Sequence, residues 1–234
     1  MTPDRNCQEH ASDWGSFVAP AEGLLTMRLY HHPFSTNARR AVITALELNM
    51  PLELVLVDLP KREQRQPAFL ARNPAGRVPV LEDGSVILPE SHAIMLYLVA
   101  QAANQTLYPS DLAGQAQVNR WMFWCSAHFQ PAISVLNWEY FVKKVAGLGE
   151  PDPAEVARGE RLVQEFGSLL DSHLASREWV AGPNMTLADI SLATPLMTIK
   201  QARLPVAPFK HLQSWFARMQ SRESWQKTNP PERV

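Results

Sequence analysis

Two cysteines, Cys7 and Cys125, are all the chain contains, and they form no CxxC pair. They build no disulfide framework, so a reducing, cytoplasmic setting is expected. Long apolar runs are also missing. The longest, Ala93 to Ala100, is eight residues, far short of the roughly 20 a bilayer-spanning helix needs. No membrane role is expected. Neither charge sign dominates: 22 Lys and Arg face 23 Asp and Glu, a formal net charge of −1. Nucleic-acid binders carry a basic surplus, so nucleic acid is not an expected partner. No GxGxxG, GxxxxGK[ST], HExxH or GxSxG occurs, which leaves no legible phosphate cradle, zinc helix or nucleophile elbow. His31 and His32 are adjacent, and adjacent side chains diverge on an extended backbone, so no metal site is expected.

What is present suits a packed globular chain: 46% hydrophobic and 19% charged residues. A length of 234 residues allows one large domain or two small ones. Residues 1–26 show neither helical nor strand period and no apolar signal core, so they are expected to be a flexible extension.

From Met27 the pattern is strand, helix, strand, short helix, hairpin, helix. Met27–Tyr30 predicts a strand. Ala38, Ala41, Val42, Ala45 and Leu46 then form a helical stripe, with Arg39, Arg40 and Glu47 off it. Leu52–Val57 is a nearly continuous apolar strand, expected to be buried on both faces. Asp83-Gly84 between two short apolar runs signals a two-residue hairpin. Pro79 stands where a strand begins. It is either that strand's first residue or part of a cis Val78–Pro79 bond that turns backbone groups toward a ligand.

Periodicity lapses near 104–112, and beyond that point only helical patterns follow. They run over about 112–145 with a kink at Pro131, over 153–176, from a Thr186-Leu187-Ala188-Asp189 capping box, and around Leu212–Met219. The expected organisation is therefore a mixed α/β domain over 27–103, a linker over 104–112 and an all-α domain over 113–230.

Ser35 sits between the first strand and the first helix, at the strand's carboxyl end, where open α/β sheets place ligands. A helix N-terminus there offers N–H groups and a positive dipole end to an anion such as a thiolate. A hydroxyl at this point either donates to a bound sulfur or caps the helix. Glu90-Ser91 poses the same alternative at the next helix: Ser91 caps it or receives a carboxylate, and Glu90 takes an ammonium. Three of the seven tryptophans fall within 121–138, and the seven aromatics Trp121, Phe123, Trp124, Phe129, Trp138, Tyr140 and Phe141 spread over every face of one helix. They cannot all face a single core. Cys125 is expected to be a small buried hydrophobe.

Together these segments resemble soluble glutathione transferases of the serine type. Tyr30-His31-His32-Pro33-Phe34-Ser35-Thr36-Asn37-Ala38-Arg39-Arg40 is similar to their active-site turn. Asn73-Pro74-Ala75-Gly76-Arg77-Val78-Pro79-Val80-Leu81 resembles their NPxGxVPxL segment, and Glu90-Ser91-His92-Ala93-Ile94 their ESxAI segment. Thr186–Asp189 resembles the capping box of their second domain. The resemblance covers residues 27 to about 225 and points to phi-like and related bacterial members. It implies a thioredoxin-like N-terminal domain (βαβαββα), a helical C-terminal domain, a homodimer, and glutathione as co-substrate with no metal. It implies that Ser35 hydrogen-bonds the glutathione sulfur. Val78, before a cis Pro79, would pair with the cysteinyl unit, and Glu90 and Ser91 would hold the γ-glutamyl end. Gln64, Arg65 and Arg77 would lie at the glycyl end, although Gln64 stands where His is common and Arg77 where Gln is common. Phe34, Trp121, Trp124 and His128 would line the second-substrate site. The implied activity is detoxification-type conjugation to an apolar electrophile. The alternatives are glutathione-dependent peroxide or disulfide reduction on the same site, and a non-catalytic scaffold.

Overall fold

The computed structural model describes residues 27–230; the expected flexible extension, 1–26, lies outside the described residues. Among those residues, 27–105 and 222–230 form one compact unit and Thr106–Ser221 another. The all-α domain was expected to extend to 230, but its last stretch groups with the first unit.

In that first unit, β1 (Arg28–His31), β2 (Glu53–Leu56), β3 (Val80–Asp83) and β4 (Val86–Pro89) form one sheet in the order β2-β1-β3-β4. β1 and β2 run parallel, and the other neighbours are antiparallel. Helix α1 (Thr36–Glu47) crosses between β1 and β2. A 3-10 turn (Glu63–Arg65) and α2 (Pro67–Leu70) precede β3, and α3 (Ser91–Gln101) follows β4. Side chains alternate across β1 as strand geometry requires. Leu29 packs with Ala41, Val42, Ala45, Ile94 and Leu98 from α1 and α3. Tyr30 packs on the other face with Val57, Phe69, Val78 and Val80.

Three local expectations change. β2 is an edge strand, and Leu56 keeps 41% of its surface exposed. Its apolar run therefore reflects strand propensity rather than two-sided burial. The hairpin turns at Gly84-Ser85, one residue on from Asp83-Gly84, because Asp83 still pairs with Val86 and Gly84 takes the positive φ of 56°. Arg39 and Arg40, expected off the packed face of α1, are both buried at 1% exposure.

Arg39 is buried because a short helix missed in the sequence, α10 (Glu223–Lys227), lies on α1. Arg39 donates from Nε to Thr228 Oγ1 (3.1 Å) and from Nη2 to the Trp225 carbonyl (2.9 Å) and Asn229 Oδ1 (2.8 Å). Its guanidinium stands 4.0 Å from the centre of the Trp225 ring. Burial pulls its pKa down. Two turns further along α1, the Glu47 carboxylate accepts from Arg222 and Ser224.

The second unit is helical. The chain runs from α4 (Leu112–Trp124) through a π turn (Cys125–Phe129), α5 (Gln130–Asn137) and a second π turn (Trp138–Val142) into α6 (Lys143–Ala146). The kink expected at Pro131 takes the form of the π turn just before it. Proline has no N–H to donate back, and a wider turn accommodates the break. Cys125 is fully buried, and its Sγ donates to the Ser191 carbonyl at 3.3 Å. Helix α7 (Pro153–Leu174) buries Val163, Leu170 and Leu174 and leaves Leu169 exposed. Gly167 allows close approach: a Cβ there would meet the Phe209 ring at 2.4 Å. The capping box appears as expected at the start of α8 (Leu187–Ala193). A 3-10 segment (Thr194–Thr198) and α9 (Lys210–Gln220) complete the unit.

Candidate active site

The sheet register gathers the candidate residues of the first unit. His31 ends β1 opposite Leu56, which ends β2. Tyr30 pairs with Val80, the first residue of β3, and Val80 pairs with Pro89, the last of β4. The segments leading to Ser35, to Gln64-Arg65, to Val78-Pro79 and to Glu90-Ser91 therefore all meet the sheet at the same end.

Ser35 is the N-cap of α1. Its Oγ accepts the Ala38 N–H at 3.2 Å, and its carbonyl accepts from Arg39 at 2.9 Å. The capping role engages a lone pair of the hydroxyl and leaves its proton to donate elsewhere. Capping and thiol recognition are thus compatible at one oxygen.

The Val78–Pro79 bond is cis, and Pro79 lies outside the ladder, which opens at Val80. The loop before it is held by Asn73. Asn73 Nδ2 donates to the Arg77 carbonyl (2.8 Å), Oδ1 accepts from the Ala75 N–H (3.1 Å), and its carbonyl accepts from Gly76 (2.8 Å). Gly76 has φ 60°, and a Cβ there would meet Arg65 Nη1 at 2.7 Å and the Gln64 carbonyl at 2.8 Å. Glycine lets the 64–65 turn rest on this loop, where Arg65 also donates to the Ala75 carbonyl at 3.3 Å. Gln64 Oε1 is buried with no hydrogen-bond partner among the described residues. Arg77 is exposed.

At α3 the cap is Glu90, not Ser91. Glu90 sits at φ 71°, ψ 109° and makes no side-chain capping bond. Such a conformation is costly outside glycine and clusters at functional sites. Ser91 is the first helical residue, 6% exposed, and its Oγ accepts from Arg40 Nη1 at 3.4 Å. The first turn of α3 thus has no side-chain acceptor from its cap residue for its N–H groups.

Arg40 was missed in the sequence. Its Nη1 also lies 2.9 Å from His92 Nε2. A guanidinium only donates, so His92 Nε2 must carry a lone pair and the ring must be neutral. Burial first, and then the Arg40 charge, push His92 down to about 3. Burial, and then His32, push His31 down to about 4. Both values lie below the ordinary 6.5, so the unfolded chain binds these protons first. The stability the pair contributes is complete above pH 6.5 and is lost as pH falls toward the folded values. At pH 5.5 each histidine should cost about 1.4 kcal/mol, together about 2.8. Denaturant unfolding at pH 7.5 and 5.5 should show this loss, with His173, also held below its ordinary value, adding to it, and His92→Asn should reduce it by about 1.4 kcal/mol. Asp58 and Glu82, whose carboxylates are also held low, lose their contribution only below about pH 4.5 and so stand outside this window.

The second-substrate candidates divide. Phe34 belongs to the first unit, its ring 5.8 Å from that of His32. Trp124, His128 and Phe166 cluster in the second: Trp124 meets Phe166 at 5.9 Å edge-on, and His128 meets Phe166 at 5.4 Å. Trp121 does not belong with them. It is 2% exposed and packs on Trp124 and His173, so it is core. The exposed aromatics of this helix are Phe123 and Trp138, at 66% and 47%.

The thioredoxin-like unit thus gathers, at one end of its sheet, a helix-capping serine, a cis-proline loop and a helix N-terminus without a side-chain cap. The glutathione S-transferase N-terminal domain matches residues 29–106 and the glutathione S-transferase C-terminal domain matches 121–223. The chain is 34% identical over 208 residues to glutathione S-transferase 3 of Zea mays, spanning 86% of this chain and 92% of that protein. It is 30% identical over 214 residues to glutathione S-transferase hmp2 of Hypomyces subiculosus, spanning 89% and 100%. Among solved structures, the theta class glutathione S-transferase from the citrus canker pathogen Xanthomonas axonopodis pv. citri, with glutathione bound, superposes with a TM-score of 0.81. It shares 29% identity and covers 89% of this chain and 99% of that one. The chain belongs to the glutathione S-transferase family, an enzyme family, and is phi-like within it.

Proposed function

We propose that this enzyme holds glutathione across the common end of the sheet and uses its sulfur to attack an apolar electrophile, with Ser35 as the group that keeps the sulfur ionised. The observation that carries this is the single hydroxyl that caps α1 and still has a proton to give. A free thiol has a pKa near 8.5, so only a few per cent is thiolate at pH 7. Lowering it by about two units makes thiolate dominant, about 2.7 kcal/mol of differential stabilisation. A hydroxyl donor and the positive end of α1 are of the right size to supply that.

The further roles are those the family resemblance implies, and the placement of the residues supports them. The Val78 main chain, beyond the ladder, pairs with the cysteinyl unit. The open turn at Ser91 takes the γ-glutamyl carboxylate, and Glu90 takes its ammonium. Gln64 and Arg65, resting on the Gly76 loop, face the glycyl end, and the orphaned Gln64 Oε1 suits a ligand N–H. Arg77 adds a positive charge nearby. In the reaction the thiol proton leaves to solvent, the sulfur–carbon bond forms, and the leaving group departs with the electron pair of the broken bond. Phe34, Trp124 and His128 are assigned to the electrophile, and the working form is a cytoplasmic homodimer.

The expected result is retention on immobilised glutathione and glutathione-dependent thioether formation with an activated aryl halide. Absence of both binding and turnover, with aryl halides and with peroxides, refutes the reading.

A further inference from the structure

A cleft of about 490 Å³ lies wholly within the helical unit, and none of its residues is among those assigned to glutathione or the electrophile. Its volume falls in the range of small-molecule sites. Gln117 and Arg120 of α4 form one wall. His173 at the end of α7 and Arg177 just beyond form the other, and the Val180–Gly182 stretch closes it. Among the described residues, two arginines and no carboxylate line this space.

The lining is built, not loose. Arg120 Nε donates to Gln117 Oε1 at 3.1 Å, and its guanidinium stands 4.6 Å from the Trp121 ring centre. Arg177 Nη1 donates to the His173 carbonyl at 3.0 Å. His173 Nε2 lies 2.7 Å from the Val180 carbonyl, so Nε2 carries the proton in the neutral ring. Burial, and then the charges of Arg177 and Arg120, hold the His173 pKa below its ordinary value. Beside this wall, 4.5 Å from the His173 ring, lies Trp121. It is 2% exposed, and its indole Nε1 has no hydrogen-bond partner among the described residues. A buried indole N–H usually finds an acceptor. Trp121 is packed against both walls of the cleft, through the Arg120 guanidinium and through the His173 ring.

We propose that this cleft is a second binding site, which takes a small organic anion by its carboxylate or phosphate group between Arg120 and Arg177. The site lies outside the glutathione-binding unit. It binds by charge-assisted hydrogen bonds at an open surface, so its affinity falls as salt rises.

The test titrates the full chain, with its tryptophans labelled by ¹⁵N in the indole ring, with citrate and separately with inorganic phosphate. The Trp121 indole N–H resonance, assigned with Trp121→Phe, is the readout. Saturable shifts are expected. The affinity should fall at least about tenfold in the Arg120→Gln, Arg177→Gln double variant, the loss of one charge-assisted bond or more. That variant should conjugate glutathione at a rate within about twofold of wild type. Saturation by citrate alone assigns the site to carboxylates, and saturation by phosphate assigns it to phosphate groups. No saturable shift with either probe overturns the proposal. So does an affinity unchanged in the double variant, or a conjugation rate that falls in step with anion binding.

Discussion

Ser35→Ala should lower the rate of thioether formation by up to about 25-fold at pH 7 and hardly at all at pH 9.5. Removal of the hydroxyl lets the bound thiol move from an apparent pKa of about 6.5 toward 8.5; full return would drop the thiolate fraction at pH 7 from about three-quarters to about 3%, and the share held by the positive end of α1 keeps the loss within that limit. Above the free thiol's pKa both forms are ionised and the rates converge. The pH profile of kcat/KM is therefore the decisive measurement. The same substitution removes the acceptor for the Ala38 N–H, a cap worth about 1 kcal/mol and a few degrees in Tm. A purely structural role would lower stability and leave the pH profile where it was. Ser35→Thr keeps both the acceptor and the proton and should retain most of the activity. An undiminished Ser35→Ala rate refutes the serine's role while leaving the family's conjugation chemistry standing.

The parts of this site that could be read in the sequence are those fixed by neighbours in the chain. Ser35 precedes an amphipathic stripe, and a serine there caps. Asp83-Gly84 marks a turn to within one residue. Thr186 and Asp189 stand three apart before an apolar run. What could not be read depends on distant partners. Arg39 looks like a solvent-facing charge until Trp225, Thr228 and Asn229, nearly 190 positions away, cover it. Arg40 acquires its role only when α3 brings Ser91 and His92 beside it. Glu90 replaced Ser91 as the cap because a backbone at φ 71° leaves no trace in a non-glycine residue. Trp121 and Trp124 are three apart on one helix, yet one is core and the other partly open, although α7 meets both, the first through His173 and the second through Phe166. The apolar run of β2 could not say that it ends a sheet, because strand order is set by the crossover and not by the strand.

Asp189→Ala should be the most destabilising single change in the helical unit, at about 4 kcal/mol and roughly 10 °C in Tm. The carboxylate is fully buried and accepts four hydrogen bonds. Oδ1 takes the Val180 N–H and Trp215 Nε1, each at 2.9 Å. Oδ2 takes the Thr186 N–H at 2.9 Å and Thr186 Oγ1 at 3.1 Å. Burial raises its pKa, and these donors pull against that rise. Alanine leaves two backbone N–H groups and a buried indole without acceptors, each costing about 1–3 kcal/mol, and it opens the capping box of α8. Asparagine keeps one oxygen but turns an NH₂ toward donors on the other side, so it should recover less than half of the loss. The damage should also have a place. Asp189 ties the Val180 stretch, the start of α8 and Trp215 of α9 together, so amide exchange should quicken there before it quickens in β1 and β3. His173 grips the same stretch from its carbonyl side. Loosening it at Val180 should therefore weaken anion binding in the Arg120–Arg177 cleft while the conjugation rate holds. A destabilisation below about 1 kcal/mol would mean that water replaces the carboxylate at these donors, and that the apolar packing of Leu187, Ile190 and Trp215 alone holds α8 in place.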